Sequence, residues 1–240
     1  MQRFRSVVGQ EFMEKTKYRY AVESDQMKEL PQPPLDQSTK AEDIVIDLPS
    51  PESIIVKDIN LYETIVARKS WRKYSDAPIT LDELTYLLWC TQGVKQVTNR
   101  PATLRTVPSA GSRHPFETYL LVNNVIGLKT GVYRYAAIEH KLVQVYLGSN
   151  LGDEFTQACY KQPFAGNNAV TFMWAVDAYR SEWRYSERAY RYMHLDAGHV
   201  CQNLYLAAEA IDCGVCAIAA FDDDQINSLL RLDGKNDFVI

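Results

Sequence analysis

Arg68-Lys69-Ser70-Trp71-Arg72, followed further along by Val107-Pro108-Ser109-Ala110-Gly111-Ser112-Arg113-His114-Pro115, are the two most informative segments of this chain. The first lies between two helical patterns, and its Arg-x-Ser-x-Arg run brings two guanidinium groups and a hydroxyl close together. Guanidinium forks suit bidentate recognition of phosphate, and a hydroxyl adds a short hydrogen bond. The second segment is small, braced by proline and contains a glycine, which lets backbone approach a flat ligand closely. Each has a plainer reading. The basic run can be a solvated patch that offsets the C-terminal dipole of the preceding helix. Ser109-Ala110-Gly111 can be an ordinary loop of small residues.

Outward from these segments the pattern alternates between helix and strand. Asn60 to Ala67 reads as a short helix running into the basic segment. Thr80-Leu81-Asp82-Glu83 has the form of a capping box, with Leu84, Leu87 and Leu88 at helical spacing until Gly93. Glu117 to Val122 is strand-like, and Val132–Tyr135 with Leu142–Tyr146 read as two arms of a hairpin. Leu151 to Tyr160 fits a helix with Leu151, Phe155 and Ala158 on one face. Ala169 to Val176 reads as a buried strand.

A long helix is expected from about Ser186 to Ile211, with Ala197, Val200, Cys201, Leu204, Ala207, Ala208 and Ile211 as its apolar stripe and Gly214 as its stop signal. Val215 to Phe221 reads as a further strand, Gln225 to Leu232 as a short helix, and Asp237 to Ile240 as a last strand. Strands under helices make a mixed α+β layer. Residues 1 to about 56 stand apart: a polar, helical start (Glu11 to Tyr20) precedes a passage with Pro31, Pro33, Pro34, Pro49 and Pro51. They read as an N-terminal arm on the body or on a partner subunit, or as a loose tail, with residues 57–240 as the main domain.

Composition narrows the class. The 240 residues, 46% hydrophobic and 23% charged, are those of an ordinary globular chain with one sizeable core. A net charge of −4 without a basic block gives no reason to expect nucleic acid. No apolar run reaches the roughly 20 residues of a membrane span, and Met1 to Ser6 lacks the apolar stretch of a secretory signal. Five cysteines, an odd count, do not suggest a disulfide scaffold, so a reducing cytoplasm is the expected location. Neither a Gly-x-Gly-x-x-Gly after a strand nor a P-loop is present, so a phosphate-bearing cofactor has to be held by side chains and irregular backbone.

Other chemistry-bearing residues have plain explanations. Cys213-Gly214-Val215-Cys216 lies between a helix end and a strand, the wrong context for a redox pair, and has no second ligand pair for zinc. His194 and His199 are five apart and do not share a helix face. His199 reads as a hydrogen-bonding residue between helices, and His114, in the Pro108–Pro115 segment, as the better active-site histidine of the two, in a packing or supporting role. Asp222-Asp223-Asp224 fits a helix cap, so no metal is expected.

Taken in order, Arg68 to Tyr74, Pro108 to Glu117, Gly131 to Tyr135, Arg188 to Tyr192, Asp196 to Leu204 and Cys216 to Phe221 resemble the nitroreductase superfamily across roughly residues 57–240. The likeness is strongest to the branch of SagB/ThcOx-type dehydrogenases, which oxidise azoline heterocycles in peptides. Thr16-Lys17-Tyr18 is similar to this branch as well. The resemblance implies a nitroreductase-like α+β fold, with a mixed, mainly antiparallel sheet flanked by helices. It also implies an intertwined homodimer that binds FMN at its interface. Arg68 and Ser70 would hold the ribityl phosphate with Lys69 close by, and Arg72 would lie at the pyrimidine edge of the ring. Pro108, Ser109, Ala110, Gly111 and Ser112 would line the ring from the partner subunit, and backbone at Ala219 and Ala220 would pass flavin N5.

Tyr179 to Tyr185 would face the substrate, with Arg184 and Tyr185 as the catalytic candidates; its plainer reading is an amphipathic segment capping the long helix. The azoline-oxidising relatives carry a Lys-Tyr pair there, and Arg, always protonated, cannot act as a base. The activity implied is transfer of hydride from NAD(P)H through flavin N5 to an electron-poor acceptor, a nitroaromatic or quinone, in a ping-pong cycle. The alternatives are FMN-dependent oxidation of an azoline-like or peptide-like substrate, and a flavin-binding subunit without turnover. Nitroreductases run on beyond the point matching Ile240 to residues that contact the FMN phosphate, so weaker FMN binding than in a longer chain is also expected.

Overall fold

The structure, a computed structural model, describes residues 7–240; the Met1 to Ser6 stretch considered above lies outside them. Helix α1 (Val8–Lys15) opens the arm, and residues 21–44 follow without helix or strand until β1 (Val45–Asp47). In α2 (Leu61–Ala67) the Asn60 side chain caps the Glu63 amide. In α3 (Leu81–Gln92) Thr80 and Glu83 exchange both bonds of a capping box, as their spacing predicts. A small ribbon, β2 (Val94–Val97) and β3 (Thr103–Arg105), leads to β4 (Phe116–Val122), β5 (Gly131–Ala136) and β6 (Lys141–Leu147). Then come α4 (Leu151–Ala158), β7 (Val170–Asp177), α5 (Ala178–Tyr185), the long α6 (Ala189–Glu209), α7 (Asp223–Leu229) and β8 (Asp237–Val239).

Six strands form one sheet in the order β1-β6-β5-β4-β7-β8, each pair antiparallel. The alternation of β4 explains its two covered faces. Tyr119 and Leu121 pack with Phe155 of α4 and Ile226 of α7, while Leu120 and Val122 pack with Leu84 and Leu88 of α3. Each such apolar side chain contributes about 1.5–3 kcal/mol by leaving water. Helix α6 crosses the remaining side, seating Met193 and Val200 against Phe116 and Val176, and Leu204, Ala207 and Ala208 against Leu87. No helix of the described residues is long and apolar enough to cross a membrane.

Three details differ from the sequence reading. Val215 to Phe221 is not a strand: Val215 makes a single parallel bridge with Ser70, and the rest is irregular. The Ala217 amide is taken by the Tyr205 hydroxyl instead of by a neighbouring strand. The left-handed residue after α6 is Asp212 (φ 53°), not Gly214. Gly214 serves close approach, because a Cβ there would lie 2.6 Å from the Trp71 ring. The short strands β1, β2 and β3 carry too few residues for an alternation signal and were not anticipated.

The arm lies on the body and is held there by buried charge. Glu117 on β4 accepts from Arg180 of α5 at 2.9 Å and from the Gln37 amide at 2.8 Å, with Arg134 of β5 at 3.5 Å. Arg134 in turn donates to the Gln37 carbonyl, and the Ile138 amide donates to Asp36 at 3.1 Å. Arg180 also donates to Asp177, and Trp183 donates to the Leu30 carbonyl. These contacts fix the arm and the orientation of α5 together.

Candidate functional site

The basic segment leaves α2 at Arg68 and runs beside the loop that follows α6. Ser70 bridges Val215, and the Trp71 amide donates to the Val215 carbonyl at 2.9 Å. Tyr205, on the last turns of α6, joins the two strips. Its hydroxyl is 2.9 Å from the Ser70 hydroxyl and accepts from the Ala217 amide at 2.8 Å, and the Arg68 guanidinium lies over its ring at 5.2 Å. Lys69 lies over Trp71 at 3.9 Å. Among the described residues none of Arg68, Lys69 and Arg72 has a carboxylate partner. Ala219 and Ala220 are exposed, and their amides meet no acceptor within the described residues. Three cations, a hydroxyl and free amides with no competing carboxylate suit a phosphate-bearing, electron-rich ligand. Behind this strip, between residues 215–219, α6 and β7, lies a cavity of about 670 Å³ lined by apolar side chains such as Trp71, Leu204 and Ile218.

The second segment folds into a tight turn at the other end of α6. Asp196, buried on that helix, accepts from the Ser109 hydroxyl at 2.5 Å and from the Ala110 amide at 3.3 Å. The Ser109 hydroxyl also accepts from the His114 amide at 2.9 Å. Gly111, Ser112 and His114 all have positive φ. At position 111 glycine is required on a second ground as well, since a Cβ would lie 2.3 Å from the Tyr185 hydroxyl and 2.8 Å from Arg184 Nε. The turn therefore touches the two catalytic candidates directly. Tyr185 packs edge-on against Tyr192 at 4.8 Å, and Tyr192 bonds Arg188 and Tyr18 of the arm at 2.8 Å each.

Burial, followed by the neighbouring Arg105 and Arg113 guanidiniums, pushes the His114 imidazole down to about 3, with Arg180 acting in the same sense and a bond to the Thr103 backbone opposing it. His114 is thus a neutral packing group. Because its folded pKa lies below the unfolded value near 6.5, the unfolded chain takes up the proton first on acidification. Its contribution is complete above about pH 6.5 and is lost as pH falls toward the folded value. Between pH 6.5 and 5 the loss is about 2 kcal/mol. His114→Asn, which tolerates positive φ, is expected to flatten that part of the stability profile in urea unfolding. An unchanged acid slope would assign it to other groups.

The structure thus brings Ser70 and Trp71 beside Val215, at the start of the loop that carries Ala219 and Ala220, and brings Gly111 of the Pro108–Ser112 turn beside Arg184 and Tyr185. Within one chain it does not join the two groups. Their anchors on α6, Tyr205 and Asp196, are nine residues apart, a rise of about 13–14 Å. Sequence reasoning assigned no role to Tyr205 or Asp196. Asp196 is a carboxylate on the buried stripe of a helix, which could have marked it as a partner; Tyr205 gives no such signal. His199, read as bonding between helices, is exposed on α6.

The nitroreductase family model matches residues 65–240. MJ1384 of Methanocaldococcus jannaschii, provisionally named a nitroreductase, is 34% identical over 177 residues, covering 74% of this chain and 87% of that protein. The trifolitoxin-processing protein TfxB of Rhizobium leguminosarum bv. trifolii is 31% identical over 163 residues, which is 65% of this chain and 44% of TfxB. Among solved structures, one from Anabaena variabilis, also provisionally named a nitroreductase, superposes with a TM-score of 0.65 at 27% identity, over 83% of this chain and 40% of that one. In fold alone, a chain of the E. coli microcin synthetase McbBCD complex with truncated pro-MccB17 bound is similar over 100% of this chain and 96% of its own, with a TM-score of 0.56 at 18% identity. The NADPH:FMN oxidoreductase of Vibrio harveyi, complexed with NAD+, is similar over 75% and 65%, with a TM-score of 0.52 at 18% identity. With three quarters of its length matched by one family model and a relative above 30% identity, the chain belongs to the nitroreductase family of oxidoreductases.

Proposed function

We propose that the protein is an FMN-dependent oxidoreductase which takes reducing equivalents from NAD(P)H and passes them to an electron-poor acceptor such as a nitroaromatic or quinone. The observation that carries this reading is the Arg68–Arg72 segment, whose cations have no carboxylate partner among the described residues and which is bridged at Ser70 to the loop that leads on to Ala219 and Ala220, on a chain of this family. When bound, FMN would supply hydride-accepting and hydride-donating chemistry at N5. Arg68 and Ser70 would hold its phosphate with Lys69 beside them, and Arg72 would favour negative charge at the pyrimidine edge of the ring. The Ala219 and Ala220 amides would orient the ring edge, and Arg184 and Tyr185 would hold the second reactant against the Pro108–Ser112 turn. The five cysteines are all unbridged, which suits a cytoplasmic location.

Both halves of this site serve one ligand if a second copy places its Pro108–Ser112 turn against the basic strip. The exposed apolar face of α2, with Leu61 at 63%, Tyr62 at 76% and Val66 at 68% exposure, supports a homodimer. Light scattering is expected to give a dimer, and a flavin-loaded monomer would contradict the composite site.

A second reading rests on the likeness to TfxB, a processing protein: oxidation of an azoline-like group in a peptide. Here Arg184 replaces the lysine of the azoline-oxidising relatives, so no base is available at that position. The visible spectrum of the protein, taken without oxygen before and after NADH or NADPH, separates the two. Bleaching of a flavin spectrum by nicotinamide is the expected result. Bound flavin that does not bleach favours the second reading, and a protein that cannot be loaded with FMN overturns both.

A further inference from the structure

Arg113 follows the Pro108–Ser112 turn, its residue 5% exposed, yet no carboxylate pairs with it among the described residues. The other buried arginines have acceptors at their terminal nitrogens, although Arg180 Nε is left without one. Arg134 and Arg180 share Glu117, while Arg105 donates to Thr103, Gln92 and the Leu35 carbonyl. Arg113 has one bond, from Nε to the Gly111 carbonyl at 3.1 Å, and the face of Trp183 at 5.4 Å. Its two terminal nitrogens meet no acceptor among the described residues, and neither is sealed from solvent. The charged groups around it worsen the imbalance. Arg184 and Arg100 are both cations, and burial with their repulsion holds the Arg113 guanidinium below its ordinary range. A buried cation facing further cations is costly unless an anion completes the set. Arg184 approaches the same turn, since a Cβ on Gly111 would meet both its Nε and the Tyr185 hydroxyl.

We propose that Arg113 and Arg184 form an oxyanion subsite beside Tyr185, which receives a carboxylate or phosphate group carried by one of the protein's small-molecule reactants. Two open guanidinium forks suit the planar, bidentate geometry of such a group. Fixing one charged end of the reactant there orients the remainder against the Pro108–Ser112 turn. The group has two sources in the proposed reaction, and on that reading rests only the choice between them: the 2′-phosphate of NADPH, or a carboxylate on the acceptor.

Binding is tested first, without turnover. Trp183 lies under Arg113, so its emission reports on the subsite. Titration of the full-length protein with inorganic phosphate and with benzoate, at constant ionic strength, is expected to give a saturable change that Trp183→Phe abolishes. Arg113→Gln and, in case that buried change disturbs folding, the half-buried Arg184→Gln are each expected to weaken it roughly tenfold. Kinetics then identify the source. Arg113→Gln should narrow the preference for NADPH over NADH roughly tenfold if the phosphate occupies the subsite. It should instead narrow the preference for 4-nitrobenzoate over nitrobenzene if a carboxylate does. A saturable signal in a protein that consumes no nicotinamide supports the subsite and refutes the reductase reading. No saturable signal, or one that persists in both arginine variants, overturns the subsite whatever the turnover shows.

Discussion

Glu117→Ala is expected to destabilise the protein by about 3–5 kcal/mol, because it leaves the buried Arg134 without a carboxylate and the buried Arg180 with Asp177 alone. Arg134 and Arg180 are almost wholly buried, and both converge on this one carboxylate. The Gln37 amide loses its acceptor in the same change. The damage should therefore appear in two places. Urea unfolding should show the global loss, and amide hydrogen exchange should show faster exchange around Gln37 than in the β4–β5 pairing. Replacing Glu117, Arg134 and Arg180 together by apolar residues should cost less than Glu117→Ala alone, since it removes the orphaned Arg134 charge, and Asp177, which loses Arg180, is partly exposed to water. A single-variant loss below about 1 kcal/mol would show that these arginines are satisfied by backbone carbonyls and not by Glu117.

Arg68→Ala is expected to raise the FMN dissociation constant roughly 10- to 150-fold, the effect of removing one charge-assisted bond to a phosphate of about 1.5–3 kcal/mol. Titration of the flavin-free protein by FMN fluorescence measures it. Arg68→Lys should recover part of the affinity by restoring charge without the fork. Tyr205→Phe should cost less, roughly 2- to 10-fold, because it removes only a neutral hydroxyl that positions Ser70 and the Ala217 amide. An unchanged constant in Arg68→Ala would move the phosphate away from this strip.

What could be read in advance depended on how local the signal was. The capping box at Thr80, the apolar face of α4 and the Asp222 cap before α7 are decided within four or five residues, and the structure has each of them. The strand expected at Val215–Phe221 failed for the opposite reason. An apolar run becomes a strand only with a neighbour to pair with, and Ser70 supplies one bridge before the chains part. The arm shows the same limit, since nothing within Val45–Asp47 announces that β6 will present a free edge to it.

For the site, the residue types that could do the work were legible along the chain: the Arg-x-Ser-x-Arg cations, the small Pro108–Ser112 turn and the order of segments that marks the family. Tertiary structure decided their company. It set Tyr205 between Ser70 and Ala217, Asp196 beneath the Ser109 turn, and Arg113 in a buried place with no carboxylate to meet it among the described residues. Backbone preference and apolar period are properties of neighbouring residues, whereas whether a charge finds its partner depends on groups brought together from distant parts of the chain.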